Sequence, residues 1–236
     1  RDRKAYDEAS AHYLHAIALN PKFAMAHRNL GNLFRQIGKY PRAIEHHRMA
    51  ISLEPKQAEG YLNLANALWD ADKKDEAIEQ YRAALQCTPT LLEAIQGLGN
   101  ALKQRADTLQ RDGESAAALA LYDEGLALQP ERLDILNARG VALNGLARSS
   151  EAERVWLECL RRKSDHVAAL TNLGTLYRMQ KRHEPSLRYL RQAVVVDPQD
   201  PDSVASLASS LTELGQISEA LASIAVALQA NPKHAD

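Results

Sequence analysis

The prolines of this 236-residue chain recur in one register. Six of the nine prolines belong to it: Pro21, Pro55, Pro89, Pro130, Pro198 and Pro232. The spacing is 34 residues, or twice that, at every step except the one from Pro89 to Pro130, which is longer by seven. A fixed period of roughly 20 to 50 residues is the signature of a repeat architecture, in which each unit buries its apolar face against the next. The spacing therefore predicts stacked repeats rather than one or two globular domains.

Small side chains keep the same register. One column lies twelve residues before each proline position: Ala9, Ala43, Ala77, Ala118, Ala152, Ser186 and Ala220. A second column lies five residues before it: Ala16, Ala50, Ala84, Gly125, Cys159, Ala193 and Ala227. A third column lies earlier in each unit: Gly31, Ala65, Gly99, Gly140, Gly174 and Ala208. Columns of small residues favour helices that cross closely, because a large side chain would hold the two backbones apart.

Each unit reads as two helices. Residues 24–37 carry apolar side chains at helical spacing and end at Gly38, a residue that commonly terminates helices. Pro41 suits the first turn of the next helix, where its missing N–H is not needed. That helix ends near Glu54 and Pro55, because the residue before a proline is disfavoured in the helical conformation. The pattern predicts an all-α fold.

The long step between Pro89 and Pro130 places seven extra residues within 103–112. Seven residues are about two helical turns, so a helix can absorb them while keeping the same face inward. We therefore predict one helix over Leu92–Arg111. The alternative is a disordered loop, since the segment is rich in Gln, Arg and Asp, but it contains neither Gly nor Pro.

The composition excludes several classes of protein. The net charge is −1, which argues against nucleic-acid binding, and the 5% aromatic content favours Ala- and Leu-rich helices. No apolar run approaches the roughly 18 residues of a membrane span, so we expect no membrane span and a cytoplasmic protein. The net charge is nevertheless uneven: residues 139–191 carry +6 and residues 192–236 carry −5. The basic section is either a surface for an acidic partner or a solvated face.

The sequence predicts no catalytic residue, no cofactor and no metal site. His46 and His47 are adjacent on a helix and point about 100° apart, which makes them poor joint ligands. We expect His47 to be packed and His46 to face solvent. Cys87 and Cys159 fall in packing columns and are interpreted as small buried hydrophobic residues rather than nucleophiles.

The repeated pattern resembles the tetratricopeptide repeat (TPR) family over the whole chain. The resemblance is clearest in residues 29–34 (NLGNLF), and residues 172–177 (NLGTLY) repeat that signature. It implies a single right-handed superhelical solenoid of antiparallel helix pairs, with first helices lining a concave groove. About six and a half repeats are predicted: a half repeat at 1–23, then 24–57, 58–91, 92–132 with the insertion, 133–166, 167–200 and 201–236.

Counted from the packing columns, polar and amide side chains face this groove. The candidate peptide-binding residues are Arg28, Asn29, Asn32, Asn63, Asn66, Asn100, Asn137, Asn172, Thr175 and Arg178. Asparagine is a mediocre helix former, so its recurrence asks for a reason. An amide both donates and accepts hydrogen bonds, and can hold a peptide backbone without selecting a side chain. The alternative is that Asn29, Asn63 and Asn172 tie neighbouring repeats together.

Two specialised members of the family share part of the pattern. Arg28, Asn32 and Asn63 match the clamp that holds the C-terminal carboxylate of heat-shock chaperones, but Glu93 and Gly97 replace its remaining basic residues. The TPR arm of O-linked N-acetylglucosamine transferases carries an asparagine ladder. Asn29, Asn63 and Asn172 match that ladder, whereas Gly97, Ala138 and Ser206 interrupt it.

The leading hypothesis is a non-enzymatic scaffold that binds a protein, as an extended peptide or a partner helix, in the concave groove. One alternative is that the chain is the substrate-recruiting arm of a larger enzyme, such as a glycosyltransferase or sulfotransferase. Another is a module that self-associates into a homo-oligomer through the open ends of the solenoid.

Overall fold

The computed structural model describes residues 3–230. Within that range the chain is a succession of helices joined by short turns. The helices are α1 Arg3–Leu19, α2 Ala24–Gln36, α3 Tyr40–Leu53, α4 Ala58–Asp70, α5 Lys74–Cys87, α6 Leu92–Arg111, α7 Ser115–Leu128, α8 Leu133–Gly145, α9 Ser149–Arg162, α10 Val167–Met179, α11 His183–Val196, α12 Pro201–Glu213 and α13 Ile217–Ala230. Successive helices pair, α2 with α3, α4 with α5, α8 with α9, α10 with α11 and α12 with α13. The predicted all-α fold of antiparallel helix pairs is confirmed.

The described residues divide into two compact units. The first unit extends to Arg105 and includes Ala127–Pro130; the second unit comprises Ala106–Leu126 and the described residues from Glu131 onward. The boundary falls inside α6. A single solenoid over the whole chain stays a prediction, and so do the exact repeat boundaries.

The seven extra residues are helical. Helix α6 is one element of 20 residues, whereas the first helices α2, α4, α8, α10 and α12 each have 13. The predicted single helix over Leu92–Arg111 is thus confirmed, and the loop alternative is wrong. Seven residues add about two turns, so Ala94, Leu98, Leu102 and Ala106 can all remain buried along one face.

The turn inside each hairpin uses one left-handed residue. Gly38, Gly113 and Gly215 have φ between 74° and 85° at this place. Asp72, Ala147 and Lys181 take its equivalent in the other hairpins, with φ close to 60°. The left-handed region is open to glycine and strained for most other residues, so the same sharp turn is made at unequal local cost.

Large side chains of the second helix of a pair fill the space beside small residues of the first helix. We call each such space a notch. A Cβ added to Gly31 would lie 2.6 Å from the ring of His47, and one added to Gly140 would collide with the indole of Trp156. A Cβ added to Gly174 would likewise collide with the side chain of Leu190. The first-helix column of small residues therefore admits a large side chain from the second helix, rather than only letting two backbones approach. Trp156 and Leu190 are each almost completely buried in this way.

Candidate peptide-binding groove

Three first helices of the second unit, α8, α10 and α12, line a groove of about 600 Å³. Its floor and walls combine amides, hydroxyls, small apolar side chains and carboxylates. The lining residues are Asn137, Val167, Ala168, Thr171, Asn172, Thr175, Asp197, Asp200, Asp202, Ala205 and Ser206. Three of the predicted binding residues, Asn137, Asn172 and Thr175, are thereby brought together in one cavity.

The floor of this groove is a ladder of polar side chains between helices. Asn172 Nδ2 donates to Asn137 Oδ1 at 3.0 Å and links α10 to α8. Thr175 Oγ1 donates to Ser206 Oγ at 3.3 Å and links α10 to α12. The hydrogen bond between the two asparagines agrees with the interpretation that Asn172 ties neighbouring repeats together. It occupies one hydrogen of Asn172 and one lone pair of Asn137, and a primary amide has four such sites.

The backbone beneath the ladder is fixed by burial. Trp156 Nε1 of α9 donates to the carbonyl oxygen of Asn137 at 3.2 Å, and Trp156 is only 2% exposed. Thr171 Oγ1 donates to the carbonyl oxygen of Val167 at 3.0 Å inside α10. The bond from Trp156 holds α8 against α9, and the buried side chains of Leu170 and Leu173 anchor α10, so the amides that face the groove are pre-organised.

Arg178 lies one helical turn beyond Thr175 on α10. Its guanidinium pairs with Glu213 of α12, and Lys181 lies 3.8 Å from the same carboxylate. These two cations hold the pKa of Glu213 below its usual range, chiefly through the hydrogen bond from Arg178. Arg178 is therefore engaged within the chain, and its predicted role in binding a peptide stays a prediction.

The remaining predicted binding residues lie on first helices of the first unit. Arg28, Asn29 and Asn32 are on α2, Asn63 and Asn66 are on α4, and Asn100 is on α6. Asn66 Oδ1 accepts a hydrogen bond of 2.6 Å from Tyr81 Oη of α5, so this amide also supports the helix pair. Arg35 and Asp70 form an ion pair of 3.0 Å that links α2 to α4. Whether these side chains hold a peptide stays a prediction.

The sequence analysis missed the three carboxylates of the groove. Asp197 and Asp200 lie in the turn between α11 and α12, and Asp202 lies in the first turn of α12. Asp197 Oδ1 accepts from Gln199 N at 3.0 Å, and Asp200 Oδ2 accepts from Ser203 N at 2.8 Å. The net charge of −5 over residues 192–236 was the available signal. Sequence alone did not place these carboxylates beside the amides of α8 and α10.

Most cations of the basic section, residues 139–191, form ion pairs within the chain. Arg161 and Arg162 both bond Glu158, and hold the pKa of that carboxyl down to about 2. Arg182 lies 3.6 Å from Glu153, and Arg191 lies 2.7 Å from Glu219. These contacts favour the interpretation of the basic cluster as a solvated, internally paired face.

The cysteines lie in two different environments. Cys159 is fully buried, and burial raises the pKa of its thiol to about 11, which disfavours the nucleophilic thiolate. The prediction that Cys87 is buried is wrong: it is exposed. Cys87 is the last residue of α5. Leu19 and Val196 hold the equivalent position of this column in other repeats and are 75% and 40% exposed. This column marks helix ends rather than a packed interior.

The two adjacent histidines of α3 also differ from each other. His47 is fully buried as predicted. The prediction that His46 faces solvent is wrong: its ring is half-buried against Phe34, and its Nδ1 lies 3.1 Å from Nδ1 of His27. In residues 3–230 we find no group of three or more His, Cys, Asp or Glu side chains arranged to hold a metal ion. None of the helices described is both long enough and apolar enough to cross a membrane.

The helix pairs and their shared columns define a helical-hairpin repeat protein. Models of the tetratricopeptide repeat match residues 1–35, 31–72, 58–91 and 166–196. The chain belongs to the tetratricopeptide repeat family. It is a TPR repeat module, a kind of module that is typically non-catalytic, and its fold supports a role as a protein-interaction scaffold.

Two curated relatives share part of the sequence. The human protein O-mannosyl-transferase TMTC1 is 27% identical over 127 residues, which are 52% of this chain and 14% of that protein. The TPR repeat-containing thioredoxin TTL4 of Arabidopsis thaliana is 33% identical over 89 residues, which are 38% of this chain and 13% of that protein. The chain thus spans only a small part of the length of these relatives.

Solved structures share the fold. YrrB, described as a TPR protein with an unusual peptide-binding site, matches with a TM-score of 0.58 and 20% identity, over 82% of this chain and 96% of its own. PilF of Pseudomonas aeruginosa matches with a TM-score of 0.55 and 18% identity, over 97% of this chain and 95% of its own. At these identities the likeness concerns the fold.

Proposed function

We propose that this chain is a scaffold that binds an extended peptide segment of a partner protein in the groove lined by α8, α10 and α12. The observation that carries the proposal is the coincidence of a groove of about 600 Å³ with the amide pair Asn137 and Asn172. Each amide has hydrogen-bonding sites beyond the single bond that joins the two. An extended peptide presents N–H and C=O groups along its length that match such sites.

Pre-organisation supports this function energetically. Binding a peptide costs free energy for every side chain that must be ordered, roughly 0.5–1.5 kcal/mol for a flexible one. Here the asparagines already bond each other, and α8 is fixed through Trp156. Most of the ordering is thus completed when the repeats fold. The groove is open and polar, which suits a transient partner more than a permanently buried one.

A double variant, Asn137→Ala with Asn172→Ala, tests the proposal. The two side chains bond each other, so removing both leaves no orphaned partner from that bond, and we expect little change in the melting temperature. Peptides of about twelve residues are selected from a random displayed library on the wild-type chain, and their affinities are then measured by fluorescence anisotropy. We expect the selected peptides to bind the double variant about ten-fold more weakly.

The matched control is Gln86→Ala, which removes an exposed amide from α5 in the other unit. This variant should bind the selected peptides as the wild type does. Wild-type affinity in the double variant, with helicity and melting unchanged, would contradict the proposal. Enrichment of no peptide from the library would contradict it as well.

A second candidate function is that of a partner-recruiting arm of a larger enzyme, such as a glycosyltransferase or sulfotransferase. It is favoured by the similarity to parts of a human O-mannosyl-transferase and of an Arabidopsis thioredoxin, both much longer than the matched segment. Sequencing the full-length transcript separates the two candidates. A reading frame with a catalytic domain fused to these repeats supports the arm, and a frame of repeats alone contradicts it.

A further inference from the structure

The acidic side chains of the second unit fall into two groups, those that form an ion pair within the chain and those that do not. Asp134, Glu151, Glu158 and Glu219 each pair with an arginine of the same chain. Glu213 pairs with Arg178 and Lys181. Asp112, Glu114 and Glu184, which lie outside the groove, form no ion pair with a described residue, and they serve as the reference for the groove carboxylates.

The groove carboxylates are Asp197, Asp200 and Asp202. None of the three forms an ion pair with any residue in the part of the chain that the structure describes. The hydrogen bonds of Asp197 and Asp200 go to backbone N–H groups and use one oxygen of each carboxylate. Three negative charges therefore line one wall of the cavity, and each keeps at least one oxygen available for a donor.

The stretch of sequence that carries the three aspartates is poor in cations. Residues 192–236 contain one lysine and no arginine. Arg178, the basic residue of α10, is paired with Glu213. Because like charges close together repel, a cationic ligand placed among the three aspartates gains on binding.

We propose that this groove selects extended peptides that carry lysine or arginine side chains. The amides of Asn137 and Asn172 hold the peptide backbone, and Asp197, Asp200 and Asp202 receive the cationic side chains on the α12 side of the groove. The inference rests on the proposed function and adds the charge of the partner to it. The amides contribute affinity without distinguishing between side chains, and the carboxylates contribute specificity for cationic ones.

The test uses the whole 236-residue chain and two labelled peptides of about twelve residues with blocked termini, one alternating Ala with Lys and one alternating Ala with Glu. Fluorescence anisotropy at an ionic strength of about 0.15 M should show the Lys peptide binding at least about ten-fold more tightly than the Glu peptide. Asp197→Asn, Asp200→Asn and Asp202→Asn combined should abolish this difference. Asparagine caps a helix as well as aspartate does, so α12 should stay intact.

A matched control variant removes three carboxylates of the same unit outside the groove, by Asp112→Asn, Glu114→Gln and Glu184→Gln. It changes the net charge by the same amount and should keep the preference for the Lys peptide. Equal affinity for the two peptides would overturn the inference. So would loss of the preference in the control variant, which would show that total charge and not the groove decides.

The library-selected peptides separate this inference from the proposed function. If they depend on Asn137 and Asn172 but ignore the three Asp→Asn changes, the proposed function stands and the choice of cationic partners is wrong. If the Lys peptide depends on the aspartates while no selected peptide depends on the asparagines, the amide-held backbone is wrong and so is the inference as stated. A joint dependence on both sets supports both proposals.

Discussion

The two units solve the same packing problem with different chemistry. In the first unit the notch at Gly31 is filled by the imidazole of His47, and in the second unit the notch at Gly140 is filled by the indole of Trp156. Both rings are at most 2% exposed. The indole N–H donates to the carbonyl oxygen of Asn137, whereas neither ring nitrogen of His47 has a hydrogen-bond partner among the described residues.

The difference shows that the shape of a notch and the hydrogen bonding of the side chain that fills it depend on different residues. A glycine fixes the shape of the notch, and any side chain of suitable size can enter it. Whether the polar atoms of that side chain are satisfied depends on neighbours that the column does not specify. A buried polar group without a partner costs roughly 1–3 kcal/mol, so the notch at Gly31 carries a local destabilisation that the notch at Gly140 avoids.

The largest expected effect on stability comes from removing the side chain that fills a notch. Trp156→Ala should lower the free energy of unfolding by about 3–5 kcal/mol, because it removes a large buried ring and leaves a cavity. His47→Ala should cost less, since it also removes two unsatisfied nitrogens. Chemical denaturation followed by circular dichroism measures both values. A loss for His47→Ala as large as that for Trp156→Ala would contradict the difference drawn between the units.

The second prediction concerns acid. Burial lowers the pKa of His47 to about 4, with smaller contributions from Arg35 and His46. Above pH 6.5 the ring is neutral in both the folded and the unfolded chain, so it makes no pH-dependent contribution there. Between pH 6.5 and about 4 the unfolded chain takes up a proton that the folded chain does not, and stability should fall by on the order of 3 kcal/mol.

His47→Leu tests this directly, because Leu190 already fills the equivalent notch at Gly174. The variant should gain roughly 1–3 kcal/mol at neutral pH and should lose most of the acid dependence. Some dependence should remain, since burial also lowers the pKa of His46 and of His166. The reverse change, Leu190→His, should introduce the same acid sensitivity into the second unit. Parallel pH profiles of wild type and His47→Leu between pH 7 and about 4 would count against the assignment.

The third prediction compares two tyrosine hydroxyls. Tyr81 donates to the neutral amide of Asn66, and Tyr122 donates to the carboxylate of Asp107, each at 2.6 Å. Burial and the bond to Asp107 raise the pKa of Tyr122, so its hydroxyl stays protonated. Tyr122→Phe should cost about 1.5–3 kcal/mol and Tyr81→Phe about 0.5–1.5 kcal/mol, because bonds to charged acceptors are stronger. Thermal melts of the two variants give the order, and a reversed order would refute the explanation.

The smallest effect is expected at the hairpin turns. Ala147 in the second unit has φ of 59°, and Asp72 in the first unit has φ of 60°. Ala147→Gly should stabilise the chain by about 0.5–1 kcal/mol, because it relieves left-handed strain. Asp72→Gly should gain less, since aspartate tolerates this conformation better than alanine does. Equal gains at the two turns would show that strain at this position does not depend on the side chain.

Sequence arithmetic predicted the elements of the fold closely. The 34-residue period, the small columns and Gly38 located the helix pairs, and the seven extra residues located the long helix α6. Local sequence suffices for these features because helix ends depend on turn residues, and because two added turns preserve the buried face. The errors at Cys87 and His46 arose where a column lies at a helix end or beside a neighbouring ring, which spacing alone does not reveal.

The candidate site was predicted in part. Spacing placed Asn137, Asn172 and Thr175 on one side of their helices, and these three residues do line the groove of the second unit. Spacing did not show that the two asparagines bond each other or that Arg178 pairs with Glu213. Nor did it bring the aspartates of the turn before α12 and of the first turn of α12 into the same cavity, because they lie outside the positions counted for the groove.

What the sequence by itself determined is the repeat: where helices begin and end, which positions are small, and that net neutrality hides a basic and an acidic section. Periodicity conveys this information because every repeat makes the same local contacts. What only the tertiary structure decided is which charges are cancelled. The basic section is largely paired within the chain, whereas Asp197, Asp200 and Asp202, beside an amide-lined groove, form no ion pair with any residue that the structure describes. Ion pairing depends on side chains from different helices meeting within a few ångströms, and no count along the chain contains that distance.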